Sequence, residues 1–456
     1  MNGLIYFETL GCKLNQIETE SLAHEFQKAG FAIDIGHQTA ASTAIEPILS
    51  VVNTCTVTSK AEQKARRLIR LLLRKFPAAP ILVTGCYAEL DAAVLSAIDT
   101  RVCVFPGSRK GELAGLPIWL SRRIASHPED TLQGVLTAFC AQNTGDSSIE
   151  LPDPALSAFR LSTDNFLVHS RASIKIQDGC NNHCSYCRIR LARGKSVSLD
   201  QDEVIARIRH IEDAGWAEVV ITGVNLGQYR SGDSDLAILL ERILAATNRI
   251  SLRISSLYPE RIDPAILPVL ANTRIRPHFH LSVQSGSDRV LRAMRRPYTA
   301  ETVYRAAERL RSIKENPFLA CDIIAGFPGE TDEDFARTVS LCRDIGFAWI
   351  HAFPFSARPG TEAWIMRPKI PERVASERVA VLTDLAEKNH GAYTAYWIGR
   401  RLPAIVEESS AGNGTHSLQV LTANYLSALI PFVSVSRGME ISVILKEDGK
   451  AEFDFQ

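Results

Sequence analysis

The sequence predicts an α/β protein in three parts: an N-terminal open parallel sheet, a central partial (β/α) barrel and a small C-terminal β-barrel. Strand-like apolar runs alternate with amphipathic helical runs over residues 1–105 and again over 170–395. This alternation is typical of parallel sheets with helical crossovers. Residues 399–456 instead show short β runs with Gly and Asn turns and no helical run. That pattern predicts a small antiparallel barrel.

Length and composition indicate an ordinary globular protein. The chain has 456 residues, of which 46% are hydrophobic and 22% charged, and its formal net charge is zero. Two to four domains are expected at roughly 100–200 residues each. Zero net charge gives no global argument for nucleic-acid binding, so a basic patch must be local. No apolar run reaches ~18 residues and the start lacks a secretory signal pattern, so we expect a cytoplasmic protein with no membrane partner.

The first region is predicted to consist of βα units within an N-terminal domain of residues 1–150. Its strand-like runs are LIYFETLG, PILSVVN, PILVTG and RVCVFPG, and its helical runs are NQIETESLAHEFQKAG, KAEQKARRLIRLLLRKF and a run through AELDAAVLSAI. The strands are almost wholly apolar, which predicts a sheet covered on both faces. Residues 106–170 are less regular, and the Ser-, Asp-, Pro- and Gly-rich stretch 143–158 indicates a linker.

The second region, residues 166–397, repeats the alternation six times. The predicted strands are ASIKIQ, AEVVITG, ISLRISS, HFHLSV, FLACDIIAG and FAWIHAFPFS, with helices near 200–214, 234–246, 285–295, 300–314 and 331–345. Six such units predict an open or partial barrel whose chemistry lies at the carboxyl ends of the strands. The last domain, 398–456, is predicted from the runs RLPAIVEE, HSLQVLT, NYLSALIP, MEISVIL and AEFDFQ.

The sharpest motif is GCNNHCSYCRI, which follows the first barrel strand. It spaces Cys180, Cys184 and Cys187 as C-x3-C-x2-C. Three thiolates on one short loop can bind three irons of a [4Fe–4S] cluster and leave the fourth iron open for a ligand. The alternatives are three small buried residues, or a zinc site with His183 as fourth ligand. The zinc site is disfavoured because His183 directly precedes Cys184.

Three more cysteines each follow a predicted strand of the first region. They are Cys12, Cys55 and Cys86, separated by 43 and 31 residues. Parallel strands bring their carboxyl ends to one edge of the sheet, where ligands of open α/β folds bind, so these thiols can converge on a second cluster. The alternative is three isolated core cysteines. The remaining four cysteines lack such a setting, and we interpret them as structural.

The loop motif, with the aromatic Tyr186 in C-x3-C-x-aromatic-C, resembles the radical S-adenosylmethionine (SAM) enzymes. The resemblance implies that the open iron binds SAM, which is then cleaved to a 5′-deoxyadenosyl radical. The stretch ITGVNLGQY resembles the segment near the SAM amino group in this superfamily. Polar residues at the other strand ends are further candidates, although turn formation and helix capping are alternative roles. The candidate SAM contacts are Tyr186, Gly223, Asn225, Ser255, Gln284 and Asp322.

A three-cysteine domain ahead of such a barrel and a small β domain resembles the methylthiotransferase family. The resemblance implies two [4Fe–4S] clusters, SAM as radical source and methyl donor, a sulfur donor, and a reductant such as flavodoxin or ferredoxin. TLGCKLNQIETE and NTCTVTSKAEQKARR are most similar to the branch that adds methylthio at C2 of N6-threonylcarbamoyladenosine at tRNA position 37. The alternatives are isopentenyladenosine tRNA, a ribosomal-protein aspartate, or a non-catalytic iron–sulfur RNA-binding or sensing protein.

Two features depart from the family pattern. RIRLARGKSVSL lacks the apolar-proline-tyrosine run that usually precedes Ala-Arg-Gly, and the last domain, which resembles the RNA-binding TRAM module, has five Lys/Arg against seven Asp/Glu. An acidic module is a poor phosphate clamp, so the cations for a tRNA partner must lie elsewhere. KAEQKARRLIRLLLRK and RVLRAMRR are candidates, and solvated helix faces are the alternative.

Overall fold

The computed structural model describes residues 3–36, 45–127, 129–141, 157–163, 166, 170–412, 415–447 and 449–453. The chain divides into two units. The first unit comprises Met1–Val168, Lys175–Asn182 and Cys187–Leu199, and the second comprises His169–Ile174, His183–Tyr186 and Asp200–Gln456. The cysteine loop and the strand before it are therefore shared between the units. This division differs from the three predicted domains, whose boundaries stay a prediction.

The first unit is built on a five-stranded parallel sheet. Its strands are β1 (Leu4–Thr9), β2 (Ala32–Ile35), β3 (Leu49–Thr54), β4 (Ile81–Gly85) and β5 (Val102–Val104), in the order β2-β1-β3-β4-β5. Its helices are α1 (Lys13–Lys28), α2 (Ser59–Lys75), α3 (Cys86–Leu90), α4 (Ala92–Ser96), α5 (Leu116–Ser126) and α6 (Leu132–Ala141). Separate apolar clusters cover the two faces of the sheet, as the apolar strands predict.

A later stretch of chain also belongs to the first unit. It contains the end of β6 (Ala172–Asp178), the short helix α7 (Ile189–Arg193) and β7 (Val197–Ser198), which pairs antiparallel with β6. Helix α7 packs against α3. Residues that follow the cysteine loop in sequence are thereby built into the unit that holds Cys12, Cys55 and Cys86.

The second unit contains the remaining strands and helices of the partial barrel. The strands are β8 (Glu218–Gly223), β9 (Ser251–Ile254), β10 (Ser256–Leu257), β11 (His278–Gln284), β12 (Phe318–Ala325) and β13 (Trp349–Pro354). The helices are α8 (Gln201–Asp213), α9 (Leu236–Ala246), α10 (Leu267–Ala271), α11 (Asp288–Ala293), α12 (Ala300–Ile313), α13 (Asp332–Ile345) and α14 (Glu362–Ile365). All pairings between these barrel strands are parallel.

The last part of the second unit is the long helix α15 (Glu372–Trp397) followed by an antiparallel sheet. Its strands are β14 (Arg401–Gly412), β15 (Thr415–Thr422), β16 (Ser427–Pro431), β17 (Glu440–Leu445) and β18 (Ala451–Phe453), in the order β16-β15-β14-β17-β18. A bridge between Leu429 and Lys450 joins the two ends of this order, so the sheet is nearly closed. The predicted fold class is confirmed.

Several predicted elements need correction. Strand β2 was not predicted, so RVCVFPG contains the fifth strand and not the fourth. The run AELDAAVLSAI does not form one helix, because the chain breaks at Asp91 between α3 and α4. Helices α5 and α6 occupy a stretch that was expected to be irregular, and α15 was not predicted. Most of the predicted linker, residues 143–156, lies outside the described residues.

Candidate functional site

Cys12, Cys55 and Cys86 lie at one edge of the first sheet. Cys12 precedes α1, Cys55 follows β3 directly, and Cys86 is the first residue of α3, directly after β4. Their strands β1, β3 and β4 are neighbours in the sheet and parallel. Cys55 and Cys86 are buried, whereas Cys12 is exposed. The expected meeting of the three strand ends is therefore observed.

Gly11 shows how closely two of the cysteine loops approach. Its φ of +117° lies in the region that favours glycine. A Cβ at Gly11 would stand 2.6 Å from Cβ and 3.1 Å from Sγ of Cys55. Any larger residue before Cys12 would push the two loops apart.

Polar side chains behind the cysteines fix the three strand ends to one another. The side-chain amide of Asn53 donates to the Asn15 carbonyl at 3.0 Å. The Thr54 hydroxyl donates to the Thr84 carbonyl at 2.6 Å and accepts from the Ala88 backbone N–H at 3.3 Å. These bonds connect the end of β3 with α1 on one side and with β4 and α3 on the other. The edge is thus ordered by buried hydrogen bonds, which are costly to break.

The cysteine side chains interact electrostatically. Burial raises the pKa of Cys55 to about 12, and the neighbouring thiols of Cys12 and Cys86 add to this rise. Cationic iron would reverse this shift, since a thiol is deprotonated when it binds a metal. Among the described residues, no three Cys, His, Asp or Glu side chains form a preformed site for a single metal ion. A cubane cluster has a different requirement, because each of its thiolates binds a separate iron.

A buried arginine reaches this edge from α7. The Nε of Arg193 donates to Sγ of Cys86 at 3.3 Å. The Nη1 atom donates to both carboxylate oxygens of Asp178 at 3.0 Å and to Glu18 at 3.2 Å, and Nη2 donates to Oδ1 of Asn15 at 2.8 Å. The Arg193 side chain is only 4% exposed. Arg193, Cys86, Asp178, Glu18 and Asn15 all belong to the first unit.

Two lysines complete this buried network. Nζ of Lys175 lies 2.9 Å from Glu18 and 3.0 Å from Asp178, and Nζ of Lys110 lies 2.6 Å from Glu18. Burial alone would raise the pKa values of Glu18 and Asp178, but the surrounding cations outweigh it and hold both well below the usual range. Both carboxylates are therefore ionised, and three cations face two anions.

Each sulfur of the loop motif accepts an N–H. Asn182 donates its backbone N–H to Cys180 at 3.4 Å, and Ile189 donates its own to Cys187 at 3.4 Å. Within the second unit, Nη1 of Arg296 donates to Cys184 at 3.3 Å. Hydrogen bonds to ligand sulfurs are a standard means of tuning iron–sulfur clusters. The donor set therefore fits a cluster.

Arg296 and Tyr186 line the part of the loop that belongs to the second unit. The Arg296 guanidinium lies 4.6 Å from the ring centre of Tyr258 and 5.5 Å from that of Tyr298. Arg296 is only 7% exposed, so it is not available as a phosphate contact, although it belongs to the candidate run RVLRAMRR. Tyr186 packs against the apolar cluster that contains Phe327. Arg296 was missed as a loop residue because 109 positions separate it from Cys187.

Two of the candidate SAM contacts have unusual local structure. The Ser255 hydroxyl, at the end of β9, is buried without a hydrogen-bond partner among the described residues. Gln284 ends β11 with a φ of 69°, which is strained for a residue with a side chain. Orphaned polar atoms and strained backbone both concentrate at functional sites. The orphaned hydroxyl and the strained backbone are consistent with the prediction that Ser255 and Gln284 face a ligand.

The other candidate contacts have ordinary structural roles as well. Gly223 ends β8, and Asn225 is buried before a 3-10 turn. Asp322 lies in β12 with its Oδ1 3.2 Å from Nε2 of His280, whose Nδ1 shares a 2.7 Å hydrogen bond with Ser256. Asp322 thus lies next to a histidine that compensates its charge only when the imidazole is protonated. Its role at SAM stays a prediction.

Two family models match the chain. The radical SAM superfamily matches residues 174–342, and Uncharacterized protein family UPF0004 matches residues 4–107. The threonylcarbamoyladenosine tRNA methylthiotransferase MtaB of Treponema pallidum is 49% identical, with 98% of each chain covered. The tRNA-2-methylthio-N6-dimethylallyladenosine synthase of Ralstonia pickettii is 28% identical, with 90% of this chain and 87% of the relative covered.

A solved structure shares the fold. The radical SAM methyltransferase TsrM from Kitasatospora setae, solved with cobalamin and a [4Fe–4S] cluster bound, superposes with a TM-score of 0.52 at 15% identity, over 80% of this chain and 77% of that chain. None of the helices in the described part of the chain has the length and apolarity needed to cross a membrane. The predicted cofactors, SAM and [4Fe–4S] clusters, are those of the matched enzymes. The chain therefore belongs to the radical SAM methylthiotransferase family, among the tRNA-modifying enzymes of the MtaB type.

Proposed function

We propose that this enzyme inserts sulfur and a methyl group at C2 of N6-threonylcarbamoyladenosine at position 37 of tRNA, beside the anticodon. The single observation that favours this substrate is the 49% identity, over 98% of both chains, to a relative named for threonylcarbamoyladenosine tRNA. Two relatives named for dimethylallyladenosine are 28% and 30% identical. Such a tRNA substrate implies action in the cytoplasm, a sulfur donor, and a reductant such as flavodoxin or ferredoxin.

The two cysteine sets would hold the two clusters. Cys180, Cys184 and Cys187 are proposed as ligands of the SAM-binding cluster, and Cys12, Cys55 and Cys86 as ligands of an auxiliary cluster. With cluster and SAM bound, the site supplies a radical able to remove hydrogen from an unreactive carbon. The protein's contribution is to orient ligands and exclude water. The close contact of Gly11 with Cys55 supports a fixed auxiliary site.

The proposed SAM contacts lie at the strand ends of the barrel. Gly223, Asn225, Ser255 and Gln284 end or follow β8, β9 and β11. Ligands of (β/α) folds bind at this edge, because the strand-to-helix loops converge there. The Ser255 hydroxyl, which has no hydrogen-bond partner in the part of the chain that the structure describes, is a donor that a SAM carboxylate or ribose can satisfy. Tyr186 and Asp322 complete the proposed set.

Helix α2 supplies a basic face for tRNA. Lys60, Lys64, Arg67, Arg70 and Arg74 are all exposed on it. Its one carboxylate, Glu62, accepts from Arg188 at 3.2 Å and from the Thr56 hydroxyl at 2.6 Å. Five exposed cations thus stand on a helix that carries a single carboxylate. An excess of cations on one helix face is the usual footprint of phosphate binding.

A substrate panel tests the proposal. The reconstituted enzyme is offered tRNA bearing threonylcarbamoyladenosine, tRNA bearing isopentenyladenosine, and the ribosomal protein that presents the aspartate. We expect methylthiolation of the first substrate only, measured by mass spectrometry of digested RNA and protein. If either of the other two substrates is methylthiolated in preference to the first, that substrate is the correct one. SAM cleavage without product on any of the three would also contradict it.

Metal analysis tests the proposed ligands and excludes a non-catalytic sensor. Wild-type protein should hold about eight irons if both clusters are cubanes, and the C12A/C55A/C86A variant about four. The C180A/C184A/C187A variant should also hold about four and release no 5′-deoxyadenosine. The matched control is C103A/C342A, which removes two buried cysteines outside both sets and should keep about eight irons. Full iron content in the first variant would refute the auxiliary site.

A further inference from the structure

Arg193 is placed where a residue can act on the auxiliary cluster without binding iron. Its Nε lies 3.3 Å from Sγ of Cys86, and its other two nitrogens are held by Asp178, Glu18 and Asn15. The guanidinium is therefore fixed on one side by carboxylates and an amide. Its third nitrogen, Nε, donates to a proposed ligand sulfur. A guanidinium held in this way loses little further conformational entropy when it donates to the sulfur.

The charge of the surrounding network is unbalanced. Lys110, Lys175 and Arg193 face the carboxylates of Glu18 and Asp178, and all five side chains are at most 8% exposed. Among these five described side chains, one positive charge is in excess. An unpaired buried charge is unfavourable unless an anion compensates it. Three thiolates on an oxidised cubane core with two positive charges make a monoanion, which matches this excess.

We propose that Arg193 is a positioning residue that donates its Nε–H to the Cys86 sulfur and thereby raises the reduction potential of the auxiliary cluster. The inference rests on the proposed binding of that cluster by Cys12, Cys55 and Cys86. Hydrogen bonds and positive charge near ligand sulfurs stabilise the more negative, reduced state of a cluster. Removing them shifts the potential to more negative values.

The network explains why an arginine is required. Lysine keeps the positive charge but has a single nitrogen, which cannot contact Asp178, Asn15 and Cys86 together in this geometry. Lys110 is the matched comparison, because it is a buried cation of the same network that contacts Glu18 and no cysteine in any described contact. If the effect depends on the contact with sulfur, replacing Arg193 must change the potential more than replacing Lys110.

The test uses full-length protein with C180A/C184A/C187A, so that one cluster remains. R193Q, R193K and K110Q are added to this parent, and each protein is reconstituted with iron and sulfide. Iron per chain and the midpoint potential, from a redox titration followed by electron paramagnetic resonance, are the readouts. We expect about four irons in the parent, a negative shift in R193Q, a smaller shift in R193K and the smallest in K110Q.

The possible results distinguish the role of Arg193 from the binding of the cluster by Cys12, Cys55 and Cys86. A parent without iron overturns the cluster site, and the inference with it. If R193Q and R193K bind iron but keep the midpoint potential of the parent, the proposed role of Arg193 is wrong although the cluster site is right. A shift in K110Q equal to that in R193Q would lead to the same conclusion. If R193Q does not fold, R193K decides the matter, because an unchanged potential in that variant contradicts the proposed contact.

Discussion

The side-chain amide of Asn15 donates to the Thr54 carbonyl at 3.1 Å and so ties α1 to the strand end that precedes Cys55. The same amide donates to the Leu10 carbonyl at 2.9 Å, two residues before Cys12. Asn15 is fully buried. One side chain thus sets the separation of two cysteine loops. The stretch after Cys12 distinguishes the family branches by its sequence. Its residue Asn15 also holds two cysteine loops in place.

Replacing Asn15 should loosen the auxiliary site. In N15A two buried carbonyls lose their donor, which costs about 1–3 kcal/mol for each unsatisfied group. We expect a lower free energy of unfolding in urea and faster loss of iron to a chelator. Q16A, at the next position of α1, is the control and should behave as wild type. Equal iron retention in N15A and Q16A would show that Asn15 does not hold the loops.

Gln284 allows side-chain contact to be separated from backbone strain. Its φ of 69° costs roughly 1–3 kcal/mol, and glycine would relieve that cost. We therefore expect Q284G to be at least as stable as wild type. If the side chain contacts SAM, Q284G should bind SAM about tenfold more weakly, the effect of one lost hydrogen bond. Equilibrium dialysis with labelled SAM measures this, and unchanged affinity would limit Gln284 to a backbone role.

Glu218 should make the stability of the second unit depend on pH. Burial would raise its pKa, but Arg253 and Arg276 outweigh burial and lower the pKa to about 2. Since the unfolded pKa is about 4.3, the carboxylate stabilises the fold above that pH and loses this effect as pH falls toward 2. E218Q should cost about 3–5 kcal/mol at pH 7 and less at pH 3. A cost independent of pH, measured by urea unfolding, would contradict this assignment.

The basic face of α2 should govern the salt dependence of tRNA binding. We expect K64Q/R67Q/R70Q/R74Q to bind tRNA more weakly and to reduce the slope of log affinity against log salt by about 0.7–0.9 for each phosphate contact removed. The control R305Q removes an exposed arginine of α12 that pairs with Glu301 at 2.8 Å. Filter binding at several salt concentrations measures both. An unchanged slope in the α2 variant would locate the RNA contacts elsewhere.

The sequence was sufficient for the features that depend on local periodicity. The convergence of the cysteines after β1, β3 and β4 could be predicted, because parallel topology places those strand ends side by side. It was insufficient for β2, whose four residues AIDI are too short to show a period, and for α15, which buries few of its residues. The run KAEQKARRLIRLLLRK was expected to supply exposed cations, but its Arg66 is half-buried and donates to the Tyr87 hydroxyl at 2.5 Å.

The network around Arg193 was also missed, for a physical reason. Its members come from α1, the 3-10 segment with Lys110, β6 and α7, and nothing in local spacing links them. The available signal was Lys175 and Asp178, the two charged residues of the strand-like run ASIKIQD, since charges in a buried strand require partners. The sequence shows that such partners must exist, whereas only the fold identifies them.

The proposed activity on threonylcarbamoyladenosine is tested most directly by nucleoside mass spectrometry of tRNA from cells that lack this gene and any paralogue. We expect that 2-methylthio-threonylcarbamoyladenosine disappears and threonylcarbamoyladenosine without the methylthio group accumulates. The wild-type gene should restore the methylthio nucleoside, and neither C12A nor C184A should do so. Unaltered 2-methylthio-threonylcarbamoyladenosine in the deletion strain would show that this enzyme does not modify threonylcarbamoyladenosine.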